Sequence, residues 1–212
     1  MTETPSIEPA LKDQEVTLNQ PLVLKANVHG RPLTEIQWLK DQKPLSSSEH
    51  IKIERQGDEC RLTIPNVKEE DVGTYTLSVK NKVGKLDSTA NVKVTAPLKF
   101  SNKLNDLDVI QGSNGTLTVD CEGVPKPKLT WLVTIYLNKV TSNNKSSFFL
   151  FRYFNDTEIK PNQKTRVDTK GSTSTLTINK ADIPDIGVYK VVADNGKERI
   201  ETTANVDVCG NY

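Results

Sequence analysis

The chain has few of the residues from which catalytic sites, disulfide frameworks and nucleic-acid-binding surfaces are built. Its 212 residues include three cysteines and two histidines, and 28 Lys and Arg side chains nearly balance 27 Asp and Glu side chains. An odd number of cysteines spread over this length does not form a disulfide framework. A net charge of +1 gives little attraction to nucleic acid, because that attraction depends on an excess of basic side chains. We therefore expect no nucleic-acid partner.

Long apolar runs are missing as well. No stretch approaches the roughly 20 apolar residues that a membrane-spanning helix needs, and the first residues, Met-Thr-Glu-Thr-Pro, lack the apolar core of a signal peptide. We expect a cytoplasmic, monomeric chain that does not insert into membranes. N-glycosylation sequons begin at Asn114, Asn144 and Asn155. We interpret these tripeptides as chance matches, since they matter only in a secreted chain.

Catalytic motifs are also absent from the sequence. It contains no H-E-x-x-H, C-x-x-C or G-x-S-x-G motif and no glycine loop for phosphate. His29 and His50 are isolated, and we interpret both as surface residues that act neither as bases nor as ligands. Cys121 is expected to be a small buried hydrophobic residue. We predict no catalytic residue, no cofactor and no metal ligand, and hence a protein that is not an enzyme.

What the sequence does contain is one pattern that occurs twice. Trp38 is followed by a D-x-G-x-Y motif ending at Tyr75, and Trp131 is followed by the same motif ending at Tyr189. A repeat of roughly 90–100 residues has the size of one β-sandwich domain. We predict an all-β fold of two sandwiches, domain 1 (residues 1–95) and domain 2 (residues 97–209), joined by a very short linker.

The repeated residues have defined places in such a sandwich. Each Trp fills the core between the two sheets, and each Tyr hydroxyl bonds back to the backbone before its strand, which forms a tyrosine corner. Trp38, Tyr75, Trp131 and Tyr189 are therefore predicted to be structural core residues. Short runs of alternating apolar and polar residues predict the strands around them.

Two cysteines would flank this core in an extracellular sandwich of the same kind. Those positions hold Ala26 and Leu77 in domain 1, and Val119 and Val191 in domain 2. We therefore predict that neither domain contains an internal disulfide. Because disulfides are rare in reducing compartments, this favours a location inside a cell.

Domain 2 carries an insertion, residues 133–153. The two Trp are 93 residues apart but the two Tyr are 114 apart, and half of all Phe and Tyr lie in the inserted segment. One interpretation is a β-hairpin that prolongs a strand through Leu137, turns at residues 142–145 and returns at residues 148–154. Its candidate partner patch is Phe148, Phe149, Phe151 and Tyr153, which would otherwise favour aggregation. The other interpretation is a splice-derived or intron-derived segment.

The motifs of both copies resemble I-set immunoglobulin domains. The matching residues are V-x-x-G-x-P-x-P-x-L-x-W (119–131), D-x-G-x-Y-x-V (185–191) and N-x-x-G (81–84). The tandem is most similar to the intracellular I-set repeats of muscle proteins, such as titin, twitchin, obscurin and small invertebrate disorganised-muscle-type proteins. In domain 2 the last glycine of N-x-x-G is replaced by Glu198, and Asn195-Gly196 offers another turn.

The resemblance implies a structural protein of the muscle cytoskeleton, located in the sarcomere or at filament attachment sites. It would anchor or stabilise actin thin filaments through contacts with sarcomeric or attachment-site proteins. Two alternatives stay open: an extracellular adhesion or receptor fragment, and a regulatory segment of a giant muscle kinase. I-set domains serve many partners, so the fold alone does not choose between these functions.

Overall fold

A computed structural model of the chain describes residues 2–32, 35–137, 152–153 and 156–210. The chain divides into two compact units, Met1–Ala96 and Pro97–Tyr212. In the described ranges, no helix is long and apolar enough to span a membrane. The regular structure is almost entirely β, and each unit consists of two facing sheets. The predicted all-β class is confirmed.

The first unit contains eight complete strands and part of a ninth. They are β1 (Glu3–Glu8), β2 (Gln14–Thr17), β3 (Leu22–Arg31), β4 (Glu35–Lys40), β5 (Lys43–Pro44), β6 (Lys52–Gln56), β7 (Glu59–Ile64), β8 (Gly73–Lys80) and the first part of β9 (Lys85–Asn102). One sheet has the order β1-β3-β7-β6. The other has the order β9-β8-β4-β5, and β2 joins its edge by pairing in parallel with β9.

The second unit repeats this plan with the rest of β9. Its strands are β10 (Leu107–Ile110), β11 (Gly115–Val124), β12 (Lys128–Leu137), β13 (Arg152–Tyr153), β14 (Thr157–Glu158), β15 (Thr165–Lys170), β16 (Thr173–Ile178), β17 (Gly187–Asp194) and β18 (Arg199–Cys209). One sheet has the order β15-β16-β11-β9. The other has the order β10-β18-β17-β12-β13, and β14 also pairs with β12. Short 3-10 helices at Glu69–Asp71 and Ile183–Asp185 precede β8 and β17.

Side-chain alternation decides which face of each strand enters the core. On β3, Leu22, Leu24, Ala26 and Val28 are buried, and the residues between them are exposed. Successive side chains of a strand point to opposite faces, so this alternation places one face of β3 against the opposite sheet. Burying one Leu or Val side chain completely contributes about 1.5–3 kcal/mol. Both cores therefore close by apolar packing.

Two stretches differ from the strands expected from the sequence. The sequence pattern predicts a first strand near residues 7–11, but β1 lies earlier and ends before Pro9, because proline cannot donate to a sheet ladder. The chain then reappears in the other sheet as β2. A break was expected at residues 95–96, but β9 is continuous there, and Thr95 pairs with Thr17 and accepts a hydrogen bond from Leu18 N at 2.7 Å.

Candidate interaction surface

The repeated aromatic residues lie at matching places in the two units. Trp38 is 3% exposed and pairs with Leu77 across β4 and β8, whereas Trp131 is 2% exposed and pairs with Val191 across β12 and β17. Each Trp is thus paired across its sheet with one of the two positions that hold cysteine in disulfide-bonded sandwiches. The described residues show why no bridge is needed there, since Ala26, Leu77, Val119 and Val191 are all buried in the apolar cores.

The tyrosine hydroxyls return to the backbone at the start of their strands. Tyr75 donates to the carbonyl oxygen of Asp71, and Tyr189 donates to that of Asp185, each at 2.9 Å. Burial raises the pKa of both phenols well above the usual range, and the nearby aspartates raise it further. Both hydroxyls therefore stay protonated and act as donors.

The aspartates at these corners each accept from a backbone amide and contact a nitrogen-bearing side chain. Asp71 accepts from Lys68 N at 2.7 Å, and Nε2 of His50 lies 2.9 Å from both of its carboxylate oxygens. The interpretation of His50 as an isolated surface residue was wrong, because its side chain is 27% exposed and contacts Asp71, which is only 3% exposed. His29 does lie at the surface, next to Asp58 at 3.3 Å.

Domain 2 has the same arrangement with different chemistry. Asp185 accepts from Asp182 N at 2.8 Å, and its cation is Lys164, whose Nζ lies 2.8 Å away. Lys164 and His50 are separated by the same 114 residues as the two tyrosines. The 114-residue offset therefore aligns His50 with Lys164. This alignment is the sequence signal that both side chains contact the aspartate of their tyrosine corner.

The three cysteines are all free. Cys60 and Cys121 are buried, and burial raises the pKa of both thiols. Such thiols are poor nucleophiles, because the thiolate is the reactive form. Cys209 is exposed at the end of β18. Among the described residues, no group of three or more His, Cys, Asp or Glu is placed to hold a metal ion.

The turn that follows β4 in domain 1, and the matching position after β12 in domain 2, differ most between the domains. In domain 1, β4 passes directly into β5 through Asp41 and Gln42, whose φ angles are 48° and 67°. Two consecutive residues with positive φ make the tight turn that suits a two-residue hairpin. Lys40 pairs with Lys43 at its base. This turn marks the place where domain 2 receives its insertion.

In domain 2 the equivalent pair of residues at the base of the turn is kept, but the strand continues beyond it. Val133 pairs with Thr157, as Lys40 does with Lys43, and the Val133 side chain packs against the second core. β12 extends through Leu137, as predicted, and β13 pairs with its end through Tyr136 and Tyr153. The insertion therefore begins as a prolonged strand pair. The frame of the sandwich beneath it is unchanged.

A polar cluster secures the base of this strand pair. Asp156 accepts from the hydroxyl of Thr134 at 2.8 Å, and Nζ of Lys190 lies 2.6 Å from its second oxygen and 3.8 Å from Glu201. The hydrogen bond from Lys190 lowers the pKa of Asp156, and the same bond raises the pKa of Lys190. The charged forms of both groups therefore stabilise the contact.

The prolonged strand also passes very close to β17. A Cβ atom added to Gly187 would lie 2.5 Å from the carbonyl oxygen of Thr134 and 3.1 Å from the Cα atom of Ile135. These are backbone atoms, which cannot move aside as the end of a side chain can. A glycine is therefore required where the insertion leaves the sheet.

The candidate partner patch falls mostly beyond the part of the chain that the structure describes. Phe148, Phe149 and Phe151, and the turn expected at residues 142–145, lie outside the described residues. Of Tyr153 the structure gives the backbone, which belongs to β13. The patch stays a prediction from the sequence.

The turn after the tyrosine strand shows how domain 2 replaces a glycine. In domain 1 the side-chain oxygen of Asn81 accepts from Gly84 N at 3.0 Å, and Asn81 N donates to the Gly84 carbonyl. In domain 2 the side-chain oxygen of Asn195 accepts from Glu198 N at 2.8 Å, and Gly196 takes the positive φ of 80°. The same turn therefore forms with its glycine at another position.

Comparisons with known proteins agree with this architecture. The family profile described as "Immunoglobulin I-set domain" matches residues 5–94 and 153–208. Its second match begins where the insertion ends. A titin fragment of known structure, Titin-A168169, has a TM-score of 0.66 and 20% identity, covering 99% of this chain and 100% of the fragment. That likeness concerns the fold.

Two curated relatives represent two kinds of protein. The chain is 31% identical over 205 residues to the muscle M-line assembly protein unc-89 of Caenorhabditis elegans, which covers 96% of this chain and 2% of the relative. It is 26% identical over 184 residues to neural cell adhesion molecule 1 of Bos taurus, covering 84% of this chain and 20% of the relative. The chain thus spans a small part of each relative. On the profile match and its two sandwiches, the chain belongs to the immunoglobulin I-set family.

Proposed function

We propose that the chain is a non-enzymatic structural part of the muscle cytoskeleton and that it anchors or stabilises actin thin filaments. The observation that carries this proposal is the packing at the former cysteine positions, where Ala26, Leu77, Val119 and Val191 close the cores. Packing of this kind suits a reducing compartment. The similarity to a protein named for muscle M-line assembly supports the same location.

The competing function is cell adhesion. Similarity to neural cell adhesion molecule 1, and to hemicentins and Roundabout homologues, supports it. The free, buried thiols of Cys60 and Cys121 count against it, because small extracellular domains commonly depend on disulfides. We therefore rank adhesion second.

The contact with the partner is assigned to the inserted segment of domain 2. The described part of this segment extends β12 beyond the end of β17, because Ile135 already pairs with Gly187, the first residue of β17. Phe148, Phe149, Phe151 and Tyr153 are the proposed contact residues. Aromatic side chains are enriched in the energetically important parts of protein interfaces.

Immunolocalisation in muscle tests the location. An antibody raised against the chain should label a repeating sarcomeric band or filament attachment sites in permeabilised fibres. Labelling of intact, unpermeabilised cells together with release of N-glycans from Asn114 would contradict the proposal and favour adhesion. An unrelated antibody to a surface protein serves as the control for permeability.

Cosedimentation tests the actin contact and the patch separately. The chain should pellet with actin filaments in proportion to their concentration. A variant with Phe148, Phe149, Phe151 and Tyr153 changed to Ser should pellet at least tenfold less. Pelleting of both forms alike would remove the patch from the proposal, and pelleting of neither would remove actin. A matched variant, Val83→Ser, changes an exposed apolar residue of domain 1 and should bind normally.

A further inference from the structure

Domain 1 contains a cavity that opens at the side of its sandwich. Its volume is about 460 Å³, which falls within the range of about 300–1,000 Å³ usual for small-molecule sites. The apolar wall comes from β4, the segment after β5, β6 and β7, and it consists of Ile36, Trp38, Leu45, Ile53 and Cys60. Polar residues Glu35, Gln37, Glu54 and Arg55 complete the lining.

The indole N–H of Trp38 is the unusual group in this wall. Trp38 is 3% exposed, yet its Nε1 makes no hydrogen bond with any residue in the described ranges. Within those ranges every fully buried side-chain N or O atom has a partner. Nε1 must therefore be reached by solvent, and the space that Trp38 borders is the cavity. A donor that is reached by solvent through a cavity can exchange its water for the acceptor of a bound molecule.

In domain 2 the equivalent indole N–H, that of Trp131, has a hydrogen-bond acceptor. Nε1 of Trp131 donates to Oγ of Ser174 at 2.9 Å, and Ser174 in turn contacts the hydroxyl of Thr169 at 2.9 Å. The residue of domain 1 that matches Ser174 is Cys60, 114 positions earlier. A thiol is a weak acceptor compared with a hydroxyl. The exchange of Ser for Cys therefore leaves the indole of domain 1 free.

The groups at the cavity mouth indicate the charge of the occupant. Arg55 directs its Nε to the carbonyl oxygen of Gly57 at 3.0 Å, while Glu35 lies 3.9 Å from Lys80. The mouth thus holds charges of both signs, Glu54 included. A mixed rim of this kind favours neither an anion nor a cation, whereas the apolar wall favours an apolar body. The occupant that fits is neutral.

We propose that this cavity binds a small neutral molecule with an apolar body and one hydrogen-bond acceptor, such as a ketone, alcohol or amide. The apolar body contacts Ile36, Leu45 and Ile53, and the acceptor receives the N–H of Trp38. This site is specific to domain 1, because the corresponding indole N–H in domain 2 already donates to Ser174. It does not depend on the proposed cytoskeletal function.

The two indole N–H signals in a ¹H–¹⁵N NMR spectrum of the full chain test this site directly. They are assigned with Trp38→Phe and Trp131→Phe variants. Cyclohexanone is added as the probe at millimolar concentrations, and benzene, which lacks an acceptor of this kind, is the control. We expect the Trp38 signal to move downfield and saturate with cyclohexanone, while the Trp131 signal stays in place.

Two variants make the result decisive. Cys60→Ser supplies an internal acceptor, as in domain 2, and should weaken the response to cyclohexanone at least tenfold. Leu45→Phe reduces the volume of the cavity by enlarging a side chain of its apolar wall. It should weaken the response to cyclohexanone similarly, while Cys60 is kept. If both indole signals respond alike, if benzene gives the same shift as cyclohexanone, or if both variants respond like the original chain, the proposed site does not exist.

Discussion

The two domains share one frame, and their largest difference lies at the turn that follows β4 in domain 1 and β12 in domain 2. In domain 1, β4 turns back at Asp41 and Gln42, and in domain 2 the chain leaves the same point for the 133–153 insertion. The cross-strand residue pairs at the base of this turn, Lys40–Lys43 and Val133–Thr157, are equivalent. The comparison teaches that the sandwich requires its core and its strand register. The turn beyond the last cross-strand residue pair tolerates an insertion. Long insertions at such surface loops carry a modest entropic cost.

A second contrast concerns polar groups around the cores. The tyrosine corner uses His50 in domain 1 and Lys164 in domain 2 for the same aspartate contact. The indole N–H of Trp131 donates to Ser174 in domain 2, whereas that of Trp38 has no acceptor among the residues that the structure describes. Apolar positions are thus repeated closely, while polar partners are exchanged. This pattern is expected when packing sets the fold and polar groups adjust locally.

The largest effect is expected at the point where the insertion leaves the sheet. Gly187→Ala should destabilise domain 2 by about 1–3 kcal/mol, the usual cost of overpacking, because the new Cβ meets backbone atoms of Thr134 and Ile135. The measurement is a urea melt followed by Trp131 fluorescence in a Trp38→Phe background.

The insertion itself supplies the control for this effect. In a variant that lacks residues 133–153, the strand that blocks the new Cβ is gone, and the cost of Gly187→Ala should fall. An equal cost in both backgrounds would show that Gly187 is required for another reason.

The side chains that contact the corner aspartates come next. His50→Ala should destabilise domain 1 by about 1–3 kcal/mol, because it removes a partner from Asp71, a buried carboxylate. Lys164→Ala should cost about 0–1 kcal/mol, since the lysine side chain is 39% exposed and exposed ion pairs contribute little. Chemical denaturation of each single variant measures both numbers. Equal losses in the two domains would contradict the difference in burial.

The tyrosine hydroxyls should contribute equally. Tyr75→Phe and Tyr189→Phe each remove one bond of 2.9 Å to a backbone carbonyl and should each cost about 0.5–1.5 kcal/mol. Thermal and urea unfolding of the two variants provide the test. If both substitutions left stability unchanged, the corner bonds would not contribute as described.

Removing the insertion should have a smaller effect on stability. A chain without residues 133–153 keeps Asp156 and Lys190 at the base, and Phe154 takes the place of Val133 after Leu132. We expect the free energy of unfolding to stay within about 0.5 kcal/mol or to rise, the usual range of a surface change, and aggregation to decrease. A loss of more than about 2 kcal/mol would make the insertion an integral part of the sheet.

The sequence predicted the apolar frame better than the polar detail. The repeat offset and the alternation in β3 placed the core residues, because apolar periodicity reflects burial directly. The short strands β5 and β14 were not anticipated, since two residues show no periodicity. The division of β1 and β2 between the two sheets does not follow from the sequence pattern, because Pro9 marks the end of a strand without telling where the chain goes next.

The polar contacts were harder to predict because they join residues distant in sequence. His50 and Asp71 meet only after β6, β7 and the following 3-10 helix have folded. The environment of the Trp38 indole depends on Cys60, for which the sequence analysis made no structural prediction. Aligning His50 with Lys164 indicates the contact of His50 with Asp71. Aligning Cys60 with Ser174 indicates that the indole of Trp38 lacks the hydroxyl acceptor present in domain 2.

The central claim is that apolar packing closes both sandwiches without a disulfide, and thermal unfolding with and without a reducing agent tests it most directly. Ala26, Leu77, Val119 and Val191 fill the positions where cysteines would lie, so the melting temperature should not change when dithiothreitol is added. Loss of a native disulfide removes about 2–5 kcal/mol, and each kcal/mol lowers the melting temperature of a domain of this size by roughly 4–8 °C. A drop of several degrees in either domain would contradict the account.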